Sequence, residues 1–193
     1  MNTTEKVRQK RNYKERCIIG KFGENIVAEY FSQNKQKYQF LDVSLIKEYQ
    51  EQGIDFLLTI NHKGKHIFTT LDVKAVEETL YKYNSVCIKI NTEYKDKTEC
   101  QKRGNDAYIT KSRAEYLFYV CCQTKDIFVV KTKNLRAYIS QNIDSLKTIT
   151  YHDVDATLQY DKYNRKNVSV YVKLEDVPGV KKIKTNSKLE FIL

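Results

Sequence analysis

Apolar and polar residues divide this chain into segments with recognisable periods. From Lys14 to Asn34, Phe22, Ile26, Val27, Tyr30 and Phe31 recur at helical spacing, which predicts a helix with one apolar face. Tyr38 to Val43 reads as a strand, and Leu45 to Gln52 fits neither period. Gly53 to Ile60 and His66 to Lys74 each alternate with period two around Asn61 to Lys65, predicting a β-hairpin. Val86 to Ile90 alternates as a further strand, and the polar stretch Asn91 to Asp106 reads as a loop or an irregular helix start. Tyr116 to Cys122 and Asp126 to Lys131 form a second predicted hairpin turning at Gln123 to Lys125. Thr132 to Ile143 carries Leu135, Tyr138 and Ile139 at helical spacing, and Val168 to Val172 is a late strand. Helix, antiparallel strands, helix and more strand specify an α/β class, a mixed but mostly antiparallel sheet flanked by helices.

The first hairpin carries the candidate chemistry. With Lys63 and Gly64 as a two-residue turn, His62 faces Lys65, and counting back along both arms brings Asp55 opposite Asp72. The same register gathers Ile54, Phe56, Leu58, Ile60, Ile67, Leu71 and Val73 on the other face, an apolar set suited to a core. Opposed residues in an antiparallel pair have Cβ atoms roughly 4.5–5.5 Å apart, so two ionised carboxylates there repel unless a cation lies between them. Mg²⁺ prefers oxygen ligands and keeps several waters, so Asp55, Asp72 and a backbone carbonyl such as that of Val73 make a reasonable incomplete shell. Mn²⁺ is the alternative ion. Lys74, two residues after Asp72, shares its face and can hold an attacking water or stabilise charge developing on a phosphate. On the first helix, Glu24 falls at roughly 200° from Phe22, beside Phe31 at the edge of the apolar arc. Glu29 lies near the other edge, and geometry does not choose between them.

Gly53-Ile-Asp-Phe56, Leu71-Asp-Val-Lys-Ala75 and the upstream Gly20-Lys-Phe-Gly-Glu24-Asn together resemble the PD-(D/E)XK nuclease superfamily. The resemblance is close through Ala75, loose to about Ile143 by way of Glu115-Tyr-Leu-Phe-Tyr-Val120, and absent beyond. The literal Pro-Asp is missing, Ile54 standing before Asp55. What the resemblance implies is a restriction endonuclease-like core and metal-dependent cleavage of nucleic acid, DNA rather than RNA. Glu24, Asp55, Asp72 and Lys74 then form the catalytic set, with Glu24 completing the metal shell directly or through water. The Gly-rich Glu helix leans towards the resolvase and RecB-like branches, hence towards a structure-specific endonuclease of the Holliday-junction resolvase kind working as a homodimer. The rival from another class is a nucleic-acid-binding or inhibitory protein without catalysis.

Charge and composition are compatible with both readings. The 193 residues carry 34 Lys plus Arg against 24 Asp plus Glu, a net charge of +10 that attracts polyanions. Lys102, Arg103, Lys111 and Arg113 surround Gly104 to Tyr108 and are candidate nucleic-acid-binding residues; Lys181, Lys182 and Lys184 and the basic start of the chain offer further phosphate contacts. His62 and His66 flank the turn as surface residues, and Cys121 and Cys122 read as small apolar groups packed on a sheet. Most of the 15 tyrosines are ordinary core and surface residues of a chain lacking Trp. Five cysteines without a CxxC pair, and no apolar signal segment, predict a reduced, cytoplasmic protein with no membrane partner. One domain is expected over 1–193, with a core at about 14–143, a basic arm at 1–13 and an extension of unassigned role at 144–193.

Overall fold

The turn between the two central strands is local chemistry made visible. Lys63 and Gly64 both have positive φ, 50° and 75°, the pattern of a type I′ hairpin turn, whose twist matches that of the flanking strands. In this computed structural model, which describes residues 4–7, 13–94, 108–152 and 165–185, the turn joins β3 (Phe56–His62) to β4 (Lys65–Val76). Their ladder runs from His62 opposite Lys65 to Phe56 opposite Leu71, the register expected from the sequence. It stops one residue short of Asp55, whose N–H donates to the Leu71 carbonyl at 2.8 Å while its carbonyl accepts from Val43 N–H at 2.9 Å.

Before the hairpin lie β1 (Thr4–Val7), α1 (Tyr13–Gln33), β2 (Tyr38–Asp42) and the single turn α2 (Lys47–Gln50). After it come α3 (Glu78–Tyr83), β5 (Ser85–Tyr94), α4 (Tyr108–Lys111), β6 (Tyr116–Cys121), β7 (Ile127–Lys131) and α5 (Thr132–Asn142). The chain continues through β8 (Thr148–His152), β9 (Arg165–Lys173), a short 3₁₀ turn and β10 (Lys181–Ile183). A six-stranded sheet has the order β10-β7-β6-β4-β3-β2, with β4 and β6 parallel and the other neighbours antiparallel. A four-stranded sheet, β1-β8-β9-β5, forms a further layer. The class is mixed α/β with a mainly antiparallel central sheet flanked by helices.

Helix α1 lies on the face of the central sheet built by Phe56, Leu58, Ile60, Leu71 and Val73, burying Ile26, Val27, Tyr30 and Phe31 against them. Phe22, counted in the apolar arc from the sequence, is 39% exposed, and Ile67, nearest the turn, is 40% exposed, so the core narrows at these margins. Gly23 sets the approach: a Cβ there would stand 2.9 Å from the Ala75 Cβ, so a larger residue would push helix and strand apart. On the other face, Leu117, Tyr119, Phe128 and Val130 pack with Val86, Ile88, Val170 and Val172 of the second sheet and with Leu135 and Ile139 of α5. Covered on both faces, β6 is buried along its whole length, which explains why Tyr-Leu-Phe-Tyr-Val-Cys is a continuous apolar run.

Several sequence expectations change. The unassigned Leu45 to Gln52 contains the short α2, and Asn91 to Tyr94 extends β5 instead of opening a loop. Residues after 143 form β8 and β9 of the second sheet and β10 of the first, while Thr4–Val7 of the basic arm pairs in parallel with β8. One flanking layer is therefore largely β-sheet. Cys121 is buried in the core between the sheets, and Cys122 is half-buried.

Candidate active site

Where the β3–β4 ladder stops, a side chain continues its bonding. The Asp55 carboxylate accepts the Val73 N–H at 2.7 Å, taking the place of a backbone partner. That bond holds it at the exit of the hairpin beside Asp72, which is on the face away from α1 and is 0% exposed. Lys74 projects from the same face, its Nζ 2.6 Å from Asp72 Oδ1 and its side chain 38% exposed. Burial, the dominant cause, pushes the Asp72 carboxyl up to about 7; the nearby Lys74 ammonium opposes this, and the Asp55 charge adds to it. The same surroundings, burial first and Asp72 second, raise the Tyr119 hydroxyl.

The wall around Asp72 comes from segments that the sequence reading did not connect to it. Ser112, 2% exposed, places its Oγ 3.3 Å from Asp72 Oδ2 and 3.3 Å from the Gly53 carbonyl, and accepts the Ala114 N–H at 3.4 Å. Having one proton, that hydroxyl donates to the carboxylate or to the carbonyl, not to both at once. Gly53 has φ +63°, and a Cβ on it would lie 3.4 Å from both Asp72 Oδ2 and Ser112 Cβ. Arg136, on α5, fixes the segment before Ser112: its Nε donates to the Ile109 carbonyl at 2.6 Å, and its Nη2 donates to the Ser112 carbonyl. No local pattern marks Ser112 or Arg136. Gly53 carried one signal, its place before Ile-Asp-Phe.

The other expected residues distribute as follows. Glu24 is on α1 with its side chain 17% exposed, 2.9 Å from Lys21, which also reaches Asp42 at 3.2 Å. Asp42 pairs with Phe56 and so belongs to the α1 side of the sheet. Among the described residues, no group of three or more His, Cys, Asp or Glu side chains is close enough to share an ion. Asp55 and Asp72 therefore come together, whereas Glu24 is engaged in an ion pair of its own. Glu29 is exposed and accepts from Gln33 Nε2 at 3.3 Å. Lys111 and Arg113 are exposed on a cleft of about 840 Å³ that Glu48, Glu51, Gln52, Thr110, Ser112 and Arg136 complete. Its Ser112 is also the residue that touches Asp72. Lys102 and Arg103 lie outside the described residues. Lys182 of β10 pairs with Asp126 at 2.9 Å, and Lys181 and Lys184 are exposed. His62 is half-buried and His66 exposed beside the turn.

The donor set suits a hard cation. Two carboxylates and the Lys74 ammonium share this site, and burial is the first cause that raises the Asp72 carboxyl. Carboxylate oxygens are the donors that Mg²⁺ and Mn²⁺ prefer. No described helix is long and apolar enough to cross a membrane.

No protein-family model matches the chain, and no curated protein matches it either. Among solved structures, a nuclease from a fusselovirus aligns over 88% of this chain and 89% of its own, at 9% identity and a TM-score of 0.35. A score that low does not establish a common fold.

Proposed function

We propose that this protein is a nuclease that hydrolyses phosphodiester bonds in DNA with the help of a divalent ion, Mg²⁺ or Mn²⁺. The observation that carries the reading is the convergence of Asp55, Asp72 and Lys74 at the open end of one hairpin, with Asp72 buried. Asp55 and Asp72 would hold the ion, with the Val73 carbonyl as the expected backbone ligand; Glu24, engaged with Lys21, would not join them directly. When bound, the ion polarises the phosphate and lowers the pKa of an attacking water. Lys74, half-exposed where substrate arrives, orients that water or stabilises the charge that builds on the phosphate oxygens. Ser112 and Gly53 line the Asp72 carboxylate, with the Ser112 hydroxyl within reach of its Oδ2. Lys111 and Arg113 grip the backbone from the adjoining cleft. Action on branched DNA as a homodimer is the branch that the sequence resemblance suggests.

The test is cleavage of labelled single-stranded, duplex and four-way-junction DNA with Mg²⁺, Mn²⁺ or EDTA, comparing the native chain with Asp72→Asn and Lys74→Ala. Cutting that needs metal and is lost in both variants supports the site, and the preferred substrate identifies the branch. Binding without cutting under every metal, unchanged by either substitution, leaves a nucleic-acid-binding protein instead.

A further inference from the structure

The row of side chains that ends in Asp55 and Asp72 does not stop there. On the same sheet face, β3 continues with Leu57 and Thr59, and β4, read back towards the turn, with Thr70 and Phe68. Leu57 also pairs with Leu41 of the edge strand β2. Here the second sheet no longer covers the first: Phe68 is 77% exposed and Leu41 is 59% exposed. Together Phe68 and Leu41 leave an apolar patch open on the sheet surface. Beyond Phe68 the strip ends in positive charge. Lys63 and Lys65 at the turn are exposed, and Lys37 lies beside the end of β3, its carbonyl accepting the Asn61 N–H at 2.8 Å.

We infer that this strip is a stacking platform for unpaired bases of the nucleic acid whose backbone occupies the Asp55–Asp72 site, so the substrate is single-stranded there or carries an unpaired segment. The inference rests on the proposed nuclease reading for the direction of the strand. Phe68 and Asp72 are four positions apart, about 13 Å of extended strand, so a chain that reaches the site along this face passes the ring within a few nucleotides. Every base has a π-face, which an exposed aromatic can stack upon whatever the sequence, while lysines along the path hold the phosphates. In a duplex the bases are already stacked on each other and leave nothing for Phe68 to take. A second copy of this chain would bring a second set of lysines to a tip that is already positive; a polyanion is the complementary occupant.

The experiment uses the full chain in EDTA, which prevents cutting, with fluorescein-labelled single-stranded and duplex oligonucleotides read by anisotropy. Phe68→Ala should weaken single-strand binding roughly tenfold, within the range for loss of one stacked base, and leave duplex binding within about twofold. The chain contains no Trp, so Phe68→Trp creates a lone reporter, whose emission should be quenched by the single strand and not by the duplex. Binding of the single strand without quenching, or an unchanged affinity in Phe68→Ala, overturns the inference. So does a fall in sedimentation mass on Phe68→Ala with DNA affinity intact, which assigns the strip to self-association. Failure of the nuclease reading is distinguishable: quenching and the Phe68→Ala loss would persist while native chain and Asp72→Asn alike fail to cut.

Discussion

Replacing Asp72 by Asn should make the metal-free protein more stable relative to the native chain as the pH rises. The folded-state pKa of Asp72 is raised from 3.8 to about 7, by burial first and by Asp55 as well, with Lys74 opposing. The folded protein therefore keeps a proton that the unfolded chain releases. That contribution to stability is fully present below about pH 4 and is lost as pH rises through about 7. Between pH 5 and pH 8 the loss integrates to about 2–3 kcal/mol. Asn has nearly the same shape and does not titrate, so the stability difference, Asp72→Asn minus native, should grow by that amount over the interval. Effects of the amide that do not depend on pH cancel in the comparison. For a chain of this length the change corresponds to about 5–10 °C in Tm, measurable by urea and thermal unfolding in EDTA at both pH values. Adding Mg²⁺ at pH 8 should raise the Tm of the native chain and leave that of Asp72→Asn unmoved, because only the native site gains from the ion. A stability difference that stays constant with pH, or that shrinks towards pH 8, would refute the argument that burial raises the pKa of the carboxylate at this position.

Gly23→Ala should destabilise by about 1–3 kcal/mol despite the better helix propensity of Ala, because its Cβ meets Ala75 Cβ at 2.9 Å; combining it with Ala75→Gly should recover part of the loss in a double-mutant cycle. Ser112→Ala should weaken Mn²⁺ binding, followed by the electron paramagnetic resonance of free Mn²⁺, with Ser112→Thr retaining more of it if the hydroxyl is what matters. Lys111→Ala and Arg113→Ala should each lower DNA affinity most at low salt and reduce the salt slope of log K by about 1, measured by anisotropy titrations at several ionic strengths. Glu24→Gln should reduce cleavage less than Asp72→Asn, compared in single-turnover assays, since Glu24 is held by Lys21.

Taken alone, the sequence determined the features set by short-range geometry. Lys63-Gly64 dictates the turn, the turn dictates the register, and the two-residue period of a strand then assigns Asp55, Asp72 and Lys74 to one face and the apolar set to the other. The helical periods over α1 and α5 were legible for the same reason: each helix buries one stripe of its surface. What surrounds Asp72 was not legible. Ser112 lies 40 residues downstream of it, and Arg136 braces Ser112 from another helix, so neither leaves a periodic or local trace. The second sheet was hidden as well, since its strands come from the start, middle and end of the chain and meet only in the fold. Tertiary structure alone decided that Asp72 is buried, that Glu24 is engaged with Lys21, and that Phe68 is left bare. Periodicity records which side of an element faces inward, whereas burial on the other side depends on which distant segment arrives to cover it.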